Sequence, residues 1–275
     1  MIGDPVFKRI LGLILITVVG LALYAFLVEP RWVEIVEITI ETEKIPKDSK
    51  IKIVQLSDLH IHEIGDREKY VLKVIEEINP DLVVITGDLI DDKKNVDKLY
   101  SFLRNISHVK RIYVILGNWD HWSGIDLNEY IRDLEALGVT VLVNSNDVIT
   151  EDTFCLNIVG VDDPHTGRAN LEKALTGIKS DCYTLLLAHS PEIIDKIAKK
   201  NIDLILTGHT HGGQVILPIY GPLFLPVEEK YRKYSSGLFK IGNSTLYVNR
   251  GLGTSILPVR FLCRPEITVI KIVGK

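Results

Sequence analysis

Cysteine is scarce and poorly spaced for any framework: Cys155, Cys182 and Cys263 are the only three in 275 residues. An odd, scattered set argues against a disulfide-knit scaffold and against a thiolate zinc cluster, so small buried core side chains are expected, with a disulfide between two of them left open. Charge of one sign is lacking too. The net charge is −4 and no long block of like charge occurs, so the totals suggest neither a nucleic-acid partner nor an acidic tail. Internal repeats and flexible linkers are also absent, and one large domain after the N-terminus is the economical reading. A chain that is 46% hydrophobic and 25% charged is not of disordered composition and can bury an α/β core.

One uncharged run is present. From Ile10 to Val28 only Thr17, Tyr24 and two glycines interrupt aliphatic and aromatic side chains, about the ~20 residues that a bilayer core requires. Lys8 and Arg9 precede it, and Glu29-Pro30-Arg31-Trp32 follows as a polar exit with an interfacial tryptophan. A cleaved signal peptide is the rival reading. The run is long for an apolar signal core of roughly 7–15 residues and no small-x-small cleavage site follows it, which favours an uncleaved, single-pass anchor. We therefore divide the chain into an anchor, 1–30, and one domain, 31–275. Lys8 and Arg9 place the N-terminus inside and the domain on the outer face of the membrane; Arg31, Lys44, Lys47 and Lys50 pull the other way.

Beyond the anchor, Trp32 to Glu41 reads as a strand with one wet face. Ile51–Leu56, Leu82–Ile85 and Ile112–Leu116 are short apolar runs, each followed by apolar residues at helical spacing, near 70–78, 96–106 and 127–137. Three βα units in succession predict a sheet covered by helices. Strands are expected at 139–143, 148–150, 154–161, 184–187 and 204–206, with amphipathic helices over 171–178 and 193–198. After Gln214 the pattern becomes all-β, at 237–241, 246–249 and 267–273.

Almost every apolar run ends on a side chain able to bind metal: Asp58 and His60, Asp88, Asn118 and Asp120, His189, then His209 and His211. Carboxyl ends of strands are where α/β sheets bind ligands, because the loops leaving that edge converge. Each residue alone has an ordinary explanation. Asp58 suits a turn, Asp88 a helix cap, Asn118 a tight turn, and His189 a local hydrogen bond. All of them together, in order and at strand ends, make a shared site the better reading. Mixed carboxylate, imidazole and amide ligands suit Mn, Fe or Zn better than a thiolate or all-oxygen site would.

In Asp58-Leu59-His60, Gly87-Asp88, Gly117-Asn118, His189 and Gly208-His209-Thr210-His211 the chain resembles the calcineurin-like metallophosphoesterases, block for block and in order. The resemblance spans roughly Ile51 to Val273. With Gly212-Gly213-Gln214, Asn249-Arg250-Gly251 and Arg264-Pro265-Glu266 it is most similar to a membrane-associated branch related to bacterial phosphodiesterases that act on lipid-linked diphosphates. It implies a four-layer αββα sandwich behind one N-terminal transmembrane helix, and two divalent metal ions. By the same resemblance Asp58, His60 and His211 hold one ion, Asn118, His189 and His209 hold the other, and Asp88 bridges them. A water shared by two such ions is acidified and becomes the hydroxide that attacks phosphorus.

One position departs from the family pattern. Where Gly-Asn-His is usual, the chain has Gly117-Asn118-Trp119, and an indole donates a hydrogen bond but does not act as an acid or base near neutrality. His121 is the expected replacement as proton donor beside Asp88 and Asn118, with His62 a second candidate. The apolar, proline-punctuated stretch 217–226 and the basic-aromatic Lys230–Tyr234 suit a lipid phosphate at a membrane surface; packing with a solvated end explains them equally well. Asp163 and His165 are candidates for the same rim. The reading is a membrane-anchored, binuclear metal hydrolase of phosphoesters, a phosphodiesterase or pyrophosphatase of lipid-linked or membrane-proximal substrates. A nucleotide phosphodiesterase is the alternative enzyme, and a catalytically weak regulatory metal binder the alternative of another class.

Overall fold

The computed structural model describes residues 5–151, 154–198 and 200–275. Met1 to Asp4 of the expected anchor lie outside the described residues. The uncharged run forms helix α1 (Pro5–Leu23), which passes through a wider turn at Tyr24–Val28 and a tight one at Glu29–Arg31. Together they make an apolar span of 27 residues, Pro5–Arg31. Beyond Lys8 and Arg9 it is long and apolar enough to cross a bilayer. Among the described residues of this span, Ala25, Glu29 and Pro30 are buried against the domain.

The domain starts with β1 (Glu34–Thr42) and β2 (Lys50–Leu56), then alternates helix and strand through α2 (Asp66–Ile78), β3 (Leu82–Thr86), α3 (Val96–Asn105) and β4 (Ile112–Ile115). A one-turn α4 (Asn118–Trp122), α5 (Leu127–Ala136) and β5 (Thr140–Val141) complete that half. The second half contains β6 (Ser145–Glu151), β7 (Phe154–Gly160), a one-turn α6 (Leu171–Ala174), β8 (Tyr183–Leu187) and β9 (Leu204–Thr207). A small hairpin, β10 (Ile216–Leu217) with β11 (Gly221–Pro222), precedes β12 (Gly237–Ile241), β13 (Ser244–Val248) and β14 (Glu266–Gly274).

Two six-stranded sheets result, ordered β1-β14-β2-β3-β4-β5 and β12-β13-β9-β8-β7-β6. The last strand returns to the first sheet, parallel to β1 and antiparallel to β2. Central strands are covered on both faces, which is why they read as unbroken apolar runs. Ile53, Val84, Tyr113, Leu185 and Leu206 meet between the sheets. Their neighbours Val54, Ile85 and Val114 turn outward beneath α2, α3 and α5, while Leu186 and Ile205 pack under the helical turns of the other side. Each such side chain contributes about 1.5–3 kcal/mol by leaving water. This is the four-layer αββα sandwich.

Three expectations are corrected. The helix expected over 171–178 is a single turn that ends at Ala174, with Gly177 at φ 82° following it. The helix expected over 193–198 is a 3-10 stretch, Pro191–Lys196, opened by the Ser190 hydroxyl accepting from the Glu192 amide. Cys155 and Cys182 are not separate core residues but a disulfide. The parallel register that sets Leu156 beside Tyr183 brings the two preceding residues together, and a sequence separation of 27 gives no hint of that.

Candidate metal centre

The loops leaving β2, β3, β4, β8 and β9 meet at one edge of the sandwich. They stay bonded to one another past the strand ends: the amides of Asp58 and His60 donate to the carbonyls of Gly87 and Asp88, at 3.0 and 3.1 Å. Five of the side chains there stand on left-handed backbone. Asp58, His60, Asp88, His209 and His211 have φ of 49°, 42°, 53°, 68° and 50°. For residues with a Cβ this conformation is costly, on the order of 1–3 kcal/mol each, and such strain collects at functional sites. Here it turns consecutive side chains toward one point.

Glycine precedes Asp88, His209 and, at the start of the next turn, Asn118 for steric reasons. A Cβ on Gly208 would lie 1.9 Å from the Ser57 hydroxyl oxygen, and one on Gly117 would lie 2.3 Å from Asp88 Oδ1. The Gly117-Asn118 turn lets α4 begin against Asp88, whose Oδ1 accepts from the Trp119 amide at 2.8 Å.

The seven side chains fall into two groups that share Asp88. Ligand atoms of Asp58, His60, Asp88 and His211 lie within 4.8 Å of one another, as do those of Asp88, His189 and His209. Asn118 joins the second group, its Oδ1 3.1 Å from His189 Nε2. His189 Nε2 is 3.2 Å from Asp88 Oδ2 and His60 Nε2 is 3.7 Å from the same oxygen.

These residues fit a cation because their lone pairs face one another. His189 Nδ1 donates to the Thr86 carbonyl at 2.8 Å, and His209 Nε2 donates to the Pro226 carbonyl at 2.9 Å. The remaining nitrogens of the two rings sit 3.1 Å apart, close enough that a positive charge, a shared proton or a metal ion, must lie between them. Around them are only the acceptors Asn118 Oδ1 and Asp88 Oδ2. Both ring nitrogens of His60 and Nδ1 of His211 are buried without a hydrogen-bond partner. Buried acceptors this crowded cost free energy unless a positive charge joins them.

The electrostatics agree. Burial holds His60 down to about 4 and His209 to about 3, and keeps His211 well below its usual range, so these rings are neutral and ready to ligate. Burial pushes Asp58 up to about 6. At His189 burial acts downward, yet Asp88 overrides it and raises the ring well above its ordinary value, so that without an ion a proton on this ring takes the place beside Asp88 that a metal would fill. The pocket attracts positive charge strongly.

Other sequence candidates have different places. Asp120 is buried and accepts from the amides of Leu89, Ile90 and Gly117 at 3.0, 3.3 and 2.8 Å, binding two loops together. Burial, aided by Asp88, raises it to about 7. His121 pairs with Asp162 at 2.7 Å, and His62 reaches Asp91 at 3.0 Å. Neither lines the cavity above the seven residues, which holds about 370 Å³ and is walled by Trp119, Trp122, His165, Leu223, Phe224 and Ile256 among others. His165 does line it, its ring 4.5 Å from that of His209 and its Nδ1 3.3 Å from Glu192. Asp163 is buried beneath, accepting from the amides of His165 and Thr166.

Arg260 was not singled out in the sequence. It is fully buried and donates to the carbonyls of Arg250, Gly251, Gly253 and Cys263, which folds the 250–263 segment behind Asp58. Burial lowers it to about 10. Arginine on a loop of mixed composition carries no signal for this. Arg250 and Glu266, by contrast, were noted, and they pair at 2.5 Å, with Arg250 also reaching Glu34 at 3.0 Å.

Buried Asp, His and Asn side chains in two groups around one carboxylate, at the strand ends of an αββα sandwich, define a metal-dependent phosphoester hydrolase. The chain belongs to the calcineurin-like phosphoesterase family, whose profile matches residues 51–213. It is 37% identical over 253 residues to the uncharacterized metallophosphoesterase YkuE of Bacillus subtilis, covering 90% of this chain and 87% of that one. Phosphodiesterase YaeI of Escherichia coli is 31% identical over 259 residues, 91% and 92% of the two chains. A transmembrane protein with metallophosphoesterase domain from Danio rerio is 32% identical over 287 residues, 96% of this chain and 62% of that protein.

Proposed function

We propose that the protein is a membrane-anchored phosphodiesterase with two divalent ions, Mn, Fe or Zn, acting on a phosphoester whose remainder is apolar. The observation that carries this reading is the sharing of Asp88 by two ligand groups at the floor of a cavity with apolar walls. A carboxylate has two oxygens and can serve two cations, whereas the lipid-like walls offer a nucleotide few polar partners. Ions held there would supply Lewis acidity toward phosphorus and neutralise charge on its oxygens.

The chain's own residues supply orientation and protons. Thr86 and Pro226 carbonyls fix the tautomers of His189 and His209, and Asp120 holds the loops that carry Asp88 and Asn118. Trp119 covers His60 edge-on at 6.0 Å and keeps water from that side. His165, its ring tilted against that of His209 and open to the cavity, is placed to protonate a leaving group. His121, the residue expected from sequence, has its Nε2 engaged with Asp162.

We place the anchor at 1–30, the catalytic domain at 31–275, and that domain on the outer face. The Cys155–Cys182 disulfide supports that side, since such bonds persist in oxidising compartments.

The test is hydrolysis of an aryl phosphodiester and of a membrane-borne lipid phosphodiester by the full-length protein, with metal content measured on the same sample. Two ions per chain and turnover lost in Asp88→Asn are expected. Turnover equal in wild type and D88N would sink the enzyme, and a preference for nucleotides over lipid substrates would replace the substrate class.

A further inference from the structure

Two loops beside the metal ligands are exposed and apolar in a way that their role as cavity walls does not require. The hairpin tip carries Ile219 and Tyr220, exposed to 102% and 86%, followed by Leu223 and Phe224; the nearby turn carries Ile256 and Leu257. Ile219 and Ile256 also take positive φ, 74° and 64°, unusual for branched side chains and a sign that the backbone turns them outward. Single exposed apolar residues are ordinary, but protruding pairs on adjacent loops mark a surface that meets something apolar.

The end of the transmembrane helix identifies that partner. The Arg260 amide donates to the Ala25 carbonyl at 2.9 Å, Tyr24 meets Phe261 edge-on at 6.4 Å, and Glu29 accepts from the amides of Leu262 and Cys263. From there the bonds run on without a gap. Phe261 exchanges backbone hydrogen bonds with Gln214 and Ile216, Gln214 Nε2 donates to the carbonyls of Ser255 and Leu257 at 3.3 Å, and the Leu223 amide donates to Val215. A span of 27 residues is about 40 Å long at ~1.5 Å per residue, against a hydrocarbon core of roughly 30 Å. Its final turns therefore stand at the membrane interface, and both loops are tied to those turns. Arg264 over the Trp32 ring at 4.2 Å is a cation and an aromatic at the same level, as interfacial residues are.

We propose that the β10–β11 hairpin and the 255–257 turn dip into the same bilayer that α1 crosses, so that the cavity opens onto lipid. The idea rests on the anchored reading above and deepens it: the substrate's apolar chain enters between these two loops while its phosphoester sits over Asp88. Recruitment from solution is then unnecessary, because substrate and site share one surface.

The experiment uses the full-length protein in lipid nanodiscs, labelled with an environment-sensitive fluorophore at Ile219→Cys or, as a control on α3, at Ser101→Cys. Lipids spin-labelled along the acyl chain are expected to quench the label at 219 and not at 101. In parallel, the Ile219→Ser/Tyr220→Ser double variant is compared with wild type on a lipid phosphodiester in the disc and on a soluble aryl phosphodiester. Loss of about tenfold or more on the lipid substrate, with the soluble activity unchanged, supports the proposal. No quenching at 219, or a label at 219 that reports contact with a second copy of the chain, overturns it. Quenching without hydrolysis of either substrate would leave the membrane contact standing and remove the catalytic reading, so the two fail separately.

Discussion

Nδ1 of His209 and Nε2 of His189 face each other at 3.1 Å while the opposite nitrogen of each ring is committed to a backbone carbonyl. Two imidazole nitrogens this close to each other and to Asp88 need a positive charge between them, and left-handed backbone at His209, φ 68°, aims its ring there.

Metal removal should therefore destabilise the protein as well as silence it. Chelation is expected to lower the thermal midpoint and to abolish turnover, with both restored by Mn or Zn; an unchanged midpoint would argue against buried ligation. The two histidines of the His-x-His stretch should act on different ions. His209→Ala is expected to lose the ion near Asn118 and His189, and His211→Ala the ion near Asp58 and His60. Cobalt-substituted single variants should each bind about one ion and give different visible spectra; identical spectra would contradict the assignment.

Asp88→Asn removes the carboxylate that both groups use. We expect loss of both ions and a rate lower by roughly 10³-fold or more, since neither nucleophile nor phosphate charge is then supported. Metal analysis of the folded variant is the check.

His165 and His121 can be separated by leaving group. His165→Ala should slow esters of poorly acidic alcohols by about 10²-fold and spare aryl esters that need no proton. His121→Ala should show no such selectivity and instead lower stability by about 1–3 kcal/mol, through Asp162 left buried without its partner. Equal loss on both ester types for H165A would exclude it as the donor.

Gly208→Ala is expected to be among the most damaging small substitutions. The added Cβ meets Ser57 and Asp58 at 1.9 and 2.2 Å, so the loop after β9 must shift away from the ligands. Stability should fall by roughly 1–3 kcal/mol, with metal affinity falling alongside, as read by denaturant midpoint and titration.

Breaking Cys155–Cys182 by substitution to serine should cost about 3–4 kcal/mol by the loop-entropy argument for this separation, without changing turnover at low temperature. A reduced, equally stable protein would indicate that the bond adds nothing and would withdraw the support it lends to an outer-face location.

Much of the fold was legible because its strands are buried on both sides and read as apolar runs, and because the helices over 66–78, 96–105 and 127–136 keep a clear 3.6-residue period. The short elements were less legible. At 171–178 the apolar spacing continues past Ala174, where the helix ends ahead of Gly177 with its positive φ, and at 193–198 the chain takes a 3-10 conformation that ends at Lys196, so periodicity alone overestimated both helices. The one-turn α4 is set by the contact of Gly117 with Asp88 and has no periodic signature.

By itself the sequence determined the residue types at the strand ends, the glycines that let them turn inward, and an apolar helix long enough for a bilayer. Local chemistry decides these, since an Asp or His after a buried strand can only face the edge. The tertiary structure decided everything that depends on distant segments meeting. It set Cys155 beside Cys182 through strand register, threaded β14 between β1 and β2, and bound the helix end to the 260–263 segment through Glu29. It also put His165 rather than His121 at the cavity, because the loop after β7 crosses to His209 while Asp162 draws His121 aside. Contacts between residues far apart in the chain leave no periodic or compositional trace, so only the packed molecule records them.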